Sequence, residues 1–193
     1  TGIRAVALAA AAGRIPAQDI SAALPLPPFT NSAVDGYAVA SRDLPKAEAE
    51  AFPVLGRVQA GASADDAVKA RHAVRIFTGA PMPEGADTIL MQEDADGVGS
   101  PVIRVRVPPA KGKFLRAAGL DFHEGDVLLQ AGRVLDSAAL GLAAAMGHPT
   151  LPVRRKPRVA ILATGDELVA PGEPVGRDQI VASNSFSLAA LVE

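Results

Sequence analysis

Chemistry in this chain must come from carboxylates, hydroxyls and glycine-bearing turns. Cysteine is absent, which excludes thiolate nucleophiles, disulfides and Cys-ligated zinc. The three histidines, His72, His123 and His148, lie far apart with neither HxH nor HExxH spacing, which argues against a His-held metal or a His-driven triad. Four segments carry the candidates. The first, NSAVDGYA (31–38), holds Ser32, Asp35 and Gly36. Alone it reads as a hairpin turn with Asp-Gly chosen for backbone geometry and Tyr37 as a packing residue. The second, TGAPMPEGAD (78–87), places Thr78 and Gly79 after an apolar run, where a hydroxyl and N–H groups can face an anion. No GK[ST] follows, so it is not a Walker loop, and a two-proline structural turn is the plain alternative. The third, GLDFHEGD (119–126), sets Asp121 among further acids in what otherwise reads as a solvated turn. The fourth, TGDEL (164–168), is locally the most informative. Thr164, Gly165, Asp166 and Glu167 follow an expected parallel strand, and open α/β sheets place ligands at the carboxyl ends of such strands. Two adjacent acids and a threonine can hold Mg²⁺ through oxygen, and an exposed acid pair in a loop is the equal alternative.

The elements that must position these residues follow from periodicity. The Ala-rich start is expected to be a helix ended by Gly13. Residues 14–20 read as a strand or extended connection, and the Pro-rich 24–31 cannot be a regular helix or central strand. Residues 42–51 read as a charged, Ala-rich loop or connecting turn. From 52 to 109 the pattern has period two: 52–58, 73–76, 88–91 and 102–107 are short strands punctuated by Gly, Pro, Asp and Ser. In VIRVRV (102–107), Arg104 and Arg106 share one face and Ile103, Val105 and Val107 the other, so the arginines read as a solvated sheet face. Residues 111–133 are turns with short strands. Residues 136–147 are a helix capped by Asp136 or Ser137 and stopped by Gly147. Residues 151–153 form a short strand, and RRKP (154–157) is the expected domain boundary. RVAILA (158–163) is expected to be a buried parallel strand, and Ser183-Asn184-Ser185 to cap a helix over 186–192.

Composition narrows the function classes. The chain has 193 residues, 49% hydrophobic and 21% charged, which is ordinary for a folded protein. A formal net charge of -2 leaves no basic surplus for a nucleic-acid backbone. No apolar run reaches the roughly 18–20 residues of a membrane-spanning helix. The absence of cysteine is compatible with a cytoplasmic location. The chain starts at Thr1 without an initiator methionine, and a trimmed N-terminus is expected.

In this order and at these intervals, NSAVDGYA, TGAPMPEGAD, GLDFHEGD and PRVAILATGDELV resemble the MoeA / gephyrin E-domain family, the molybdopterin molybdenumtransferases. RIPAQDI, RIFTGAPMPEGADTILMQED and GDELVAPGEPVGRDQIVASN extend the resemblance over essentially the whole chain. It implies Mg²⁺-dependent insertion of molybdate into adenylylated molybdopterin with release of AMP, as one step of molybdenum cofactor synthesis. It implies catalytic roles for Asp35, Thr78, Asp121 and Glu167. Substrate binding falls to Ser32, Gly36, Gly79, Thr164, Gly165, Asp166 and Asn184, and the metal to Asp166 and Glu167. The family works as an elongated homodimer, its cleft formed by the third domain of one subunit and the second of the other. A molybdopterin-adenylylating protein would act upstream of it.

The fold implied is mixed α/β (α+β). Residues 1–50 and 110–155 would form a helix-and-strand domain, 51–109 an inserted β-rich domain, and 156–193 the first βα unit of a doubly wound domain. The family's usual MDGYA reads VDGYA here, its GED reads Gly119-Leu120-Asp121, and Ala182 replaces an Asp two residues before Asn184. The SGG, PGKP and GLPGNP segments that continue family chains are absent. The chain is therefore expected to be the N-terminal half of a longer enzyme, inactive alone. The competing reading is a non-catalytic dimerisation or scaffold module of the same family.

Overall fold

Short strands joined by tight turns dominate a computed structural model of the chain, which describes residues 2–45, 51–62 and 67–192. In chain order the strands are β1 (Ile3–Ala7), β2 (Ile20–Ser21), β3 (Asn31–Ser32), β4 (Gly36–Val39), β5 (Ala51–Val58), β6 (Ala73–Ile76) and β7 (Thr88–Met91). There follow β8 (Ala95–Asp96), β9 (Val102–Val105), β10 (Leu115–Arg116), β11 (Val127–Leu129), β12 (Thr150–Arg154), β13 (Leu168–Val169) and β14 (Ile180–Val181). Helix α1 (Ser137–Ala145) precedes β12, and α2 (Asn184–Val192) follows β14. The chain forms two compact units, one of Ala5–Val153 and one of Thr1–Arg4 with Arg154–Glu193.

The larger unit is organised by a six-stranded sheet in the order β7-β4-β6-β5-β9-β8. Only the β5–β6 pair is parallel. The strands expected over 52–58, 73–76, 88–91 and 102–107 are all present, the last ending at Val105. The sheet also takes in β4, which lies outside the 51–109 stretch where the sequence placed the β-rich domain. Alternation sends Tyr37 and Val39 to one face, with Phe52, Leu90, Ile103 and Val105. Ala38 goes to the other, with Val58, Val74, Ile76 and Ile89. Both faces are covered, so β4 is buried throughout. Each fully buried Leu, Ile or Val side chain contributes roughly 1.5–3 kcal/mol relative to exposure. Gly36 is required sterically, because a Cβ there would overlap the Leu90 carbonyl oxygen.

A third core gathers Ile20, Leu129, Leu135, Met146, Leu151 and Val153 around Ala139 and Ala143 of α1. Asp136 caps this helix, its Oδ1 accepting the Ala139 N–H at 2.8 Å. At the other end Gly147 turns left-handed (φ +87°), and His148 N–H reaches the Ala143 carbonyl at 3.1 Å.

Three expectations change. The Ala-rich start is not a helix: it forms β1, beside β12, and one 3₁₀ turn over Leu8–Ala10. A run that short is marginal as an isolated helix, and pairing with β12 overrides alanine's preference. Residues 158–163 are not a buried strand. They carry no regular secondary structure, make no backbone pair among the described residues and are exposed, with Leu162 86% accessible. A parallel strand needs neighbours to satisfy its backbone, and among the described residues no strand is hydrogen-bonded to it. The smaller unit instead pairs β13 with β14, parallel, and α2 begins at Asn184 rather than at 186. Of the expected charged loop over 42–51, residues 41–43 form a 3₁₀ turn and 46–50 lie outside the described residues. Among the described residues no helix is long and apolar enough to cross a membrane.

Candidate functional site

The register of β4 against β6 assembles the first cluster. Gly36 pairs with Ile76 across antiparallel strands, so the residues just before β4 lie beside those just after β6. Asp35 and Thr78 meet there. Asp35 Oδ1 accepts the Thr78 backbone N–H at 2.8 Å and the Thr78 hydroxyl at 2.9 Å. The backbone bond first, then the hydroxyl, hold the Asp35 carboxyl below the usual carboxylate range, and the Arg75 charge adds to them. Asp35 is therefore an ionised acceptor at neutral pH with one oxygen occupied.

Gly79 and Ser32 close the same turn. Gly79 is left-handed (φ +78°) and donates its N–H to the Ser32 carbonyl at 2.8 Å, while Ser32 N–H donates to the Ala80 carbonyl at 3.0 Å. The Ser32 hydroxyl is buried and donates to the Val34 carbonyl at 2.5 Å, so it is committed to the turn. Neighbouring Asn31 is buried, and among the described residues its Oδ1 meets no donor. Such an orphan acceptor costs about 1–3 kcal/mol. The sequence reading passed over Asn31 and Arg75, although Asn31 lies inside the NSAVDGYA segment and Arg75 two residues before Phe77-Thr78.

Asp121 is tied to this region indirectly. β10 pairs with β3, setting Arg116 opposite Asn31, and Arg116 holds the Asp121 carboxylate at 2.9 Å. No hydrogen bond joins Asp121 to Asp35 or Thr78 among the described residues. Asp87, the last acid of TGAPMPEGAD, is structural. Burial works to raise its carboxyl, but the Ser41 N–H (2.6 Å), Ser41 hydroxyl (2.8 Å), Thr88 hydroxyl and Lys111 outweigh it and hold it low.

The remaining candidates belong to the smaller unit. Thr164, Glu167 and Asn184 line a cleft of about 470 Å³ where residues 161–164 run past β14 and the start of α2. Gly165 (φ +149°) lies under the Glu167 carboxylate, and a Cβ there would overlap it. Asp166 is exposed and outside the lining. Among the described residues no three His, Cys, Asp or Glu side chains group as a metal cage. Mg²⁺ is commonly held by one or two carboxylates together with substrate phosphates, so the hard oxygens of Asp166 and Glu167 suit it chemically.

The arrangement is acid- and hydroxyl-rich, without a thiol or His nucleophile. A family model described as "MoeA N-terminal region (domain I and II)" matches residues 1–147. A molybdopterin molybdenumtransferase of Nostoc sp. is 40% identical over 191 residues, covering 97% of this chain and 44% of its own. Molybdopterin molybdenumtransferase 2 of Mycobacterium tuberculosis is 42% identical over 191 residues, covering 97% and 47%. Two crystal structures of the molybdopterin biosynthesis MoeA protein from Pyrococcus horikoshii match with TM-scores of 0.88 and 0.86 at 33% and 34% identity, covering 99% of this chain and 49% and 52% of theirs. The chain spans about half the length of the relatives it matches. A family match over most of the residues, with agreement in fold and in sequence, makes this chain a member of the MoeA family, of which it carries the N-terminal portion.

Proposed function

We propose that this chain is the N-terminal portion of a molybdopterin molybdenumtransferase, which inserts molybdate into adenylylated molybdopterin and releases AMP. The observation that carries the reading is the Asp35–Thr78 pair, built from two of the family's ordered segments by one strand register. The pair supplies a fixed anionic acceptor beside a hydroxyl, suited to orienting a polar substrate. Asp121, steadied by Arg116, supplies a second placed carboxylate. Glu167, Thr164 and Asn184 offer oxygen and amide groups to the nucleotide portion. Mg²⁺ held by Asp166 and Glu167 would neutralise charge on the substrate pyrophosphate. In this reading 1–50 with 110–155 and 51–109 are the first two domains, 156–193 opens the third, and the protein acts as a homodimer. The present chain alone would be inactive.

The test uses a complete chain carrying these residues, with adenylylated molybdopterin, molybdate and Mg²⁺. AMP release coupled to molybdenum insertion is expected, and its absence from a folded, dimeric protein overturns the reading in favour of a scaffold. AMP release by the 193-residue chain would overturn the claim that it is inactive.

A further inference from the structure

A second cavity lies on the Tyr37 face of the six-stranded sheet. Three side chains from adjacent strands form a row there. Tyr37 of β4 pairs with Arg75 of β6, and Arg75 pairs with Arg57 of β5. Directly paired residues share a face, so all three border one cavity of about 630 Å³. The Arg75 guanidinium lies over the Tyr37 and Phe77 rings, at 5.6 Å and 5.2 Å from their centroids.

The polar inventory of this cavity is one-sided. Its lining contains Arg57, Arg75, Tyr37 and Ser100, and no carboxylate, and Arg75 Nη2 also donates to Gln92 Oε1 at 3.4 Å. Tyr37 is fully buried, and its oxygen accepts from Arg75 Nη1 (3.1 Å) and from Gly99 N–H (3.2 Å). Both acceptor positions are thus used, and the O–H has no acceptor among the described residues. Paired like charges on neighbouring strands repel. Arg57 and Arg75 are placed together without a carboxylate between them in the lining. Val54, Leu55, Val98 and Pro101 complete the wall, so the cavity is apolar around a cluster of donors.

We propose that this cavity binds a small molecule carrying a phosphate monoester on a planar apolar body. The dianion matches the two guanidinium charges, and the ring lies against Phe77 and the aliphatic wall. The cavity shares Arg75 with the first site, where its charge acts on Asp35, but uses none of the residues assigned to catalysis, substrate or metal.

The probe is phenyl phosphate, titrated into the 193-residue chain and followed by the backbone amide signals of Val98, Gly99 and Ser100. Saturable shifts are expected, with inorganic phosphate binding about tenfold more weakly and phenol giving none. Arg57→Gln, an exposed change, weakens phenyl phosphate by about tenfold with an unaltered circular dichroism spectrum. Tyr37→Phe, which removes the acceptor that holds Arg75 Nη1, weakens it as well with the spectrum retained. Lack of saturation by phenyl phosphate, or unchanged affinity in Arg57→Gln, overturns the site. Inorganic phosphate binding as tightly as phenyl phosphate overturns the planar body, and phenol reproducing the shifts overturns the anion.

Discussion

Asp35 takes both hydrogen bonds that Thr78 can donate, on a single carboxylate oxygen. One oxygen of Asp35 thereby locks the turn after β6 to the turn before β4, and the other makes no hydrogen bond among the described residues. The pair is at once a structural tie and a presented acceptor.

The tie makes a pH signature. Because the folded state holds the Asp35 carboxyl low, the unfolded chain binds its proton more readily at acidic pH. The contribution is present above the ordinary aspartate value and lost as pH falls through the depressed one. An NMR titration of the Asp35 carboxyl should give a midpoint below that of a free aspartate. Thr78→Val should move the midpoint only part of the way back, since the larger cause, the backbone N–H, survives. A midpoint unaffected by Thr78→Val would mean that the hydroxyl bond does not form in solution.

Gly36→Ala should destabilise the larger unit by about 1–3 kcal/mol, read as a lower urea midpoint, because the new methyl meets the Leu90 carbonyl in the middle of the sheet. An unchanged midpoint would show that β4 and β7 are not packed as described.

Gly141→Ala should act in the opposite direction. Gly141 lies inside α1 with open space where its Cβ would stand, and alanine there should stabilise by about 0.5–1 kcal/mol. A fall in stability would show that this face of α1 is covered.

Hydrogen exchange should separate the segment 158–163 from the sheet. Amides of Val159–Leu162 lack backbone partners among the described residues and should exchange at nearly free-chain rates, while those of Tyr37–Val39 exchange slowest. Comparable protection in both would contradict the unpaired state of 158–163.

In a complete chain, Glu167→Gln should lower AMP release by about 10²-fold or more with little loss of stability, since Glu167 lines an open cleft and packs in no core. Retained activity would remove Glu167 from the chemistry.

The sequence revealed four of the six sheet strands, α1 with Asp136 as one of two candidate caps, and the segments that bear Asp35 and Thr78, because period, capping and turn residues are local signals. It did not reveal that these two residues touch, which depends on the Gly36–Ile76 register. It misread the start, where a run of alanines obeyed a partner strand that lies far along the chain. The run over 158–163 is of strand type but makes no backbone pair among the described residues, since a strand needs hydrogen-bonded partners as well as the right composition. The Tyr37–Arg75–Arg57 row was invisible for the same cause as the Asp35–Thr78 contact, since three separate segments meet only through pairing.

The central place of β4 also has a consequence for biogenesis. β4 emerges first among the strands of its sheet, yet its two neighbours are β6 and β7, and the second of these ends at Met91. At about 5–20 residues per second, a ribosome takes roughly 3–11 seconds to progress from Gly36 to Met91. Until Ile76 is made both edges of β4 are without their final neighbours, and until Met91 one edge still is. The nascent chain thus holds an unpaired strand at the segment that later becomes fully buried, and Asp35 can be locked to Thr78 only once β6 and the turn after it have been made.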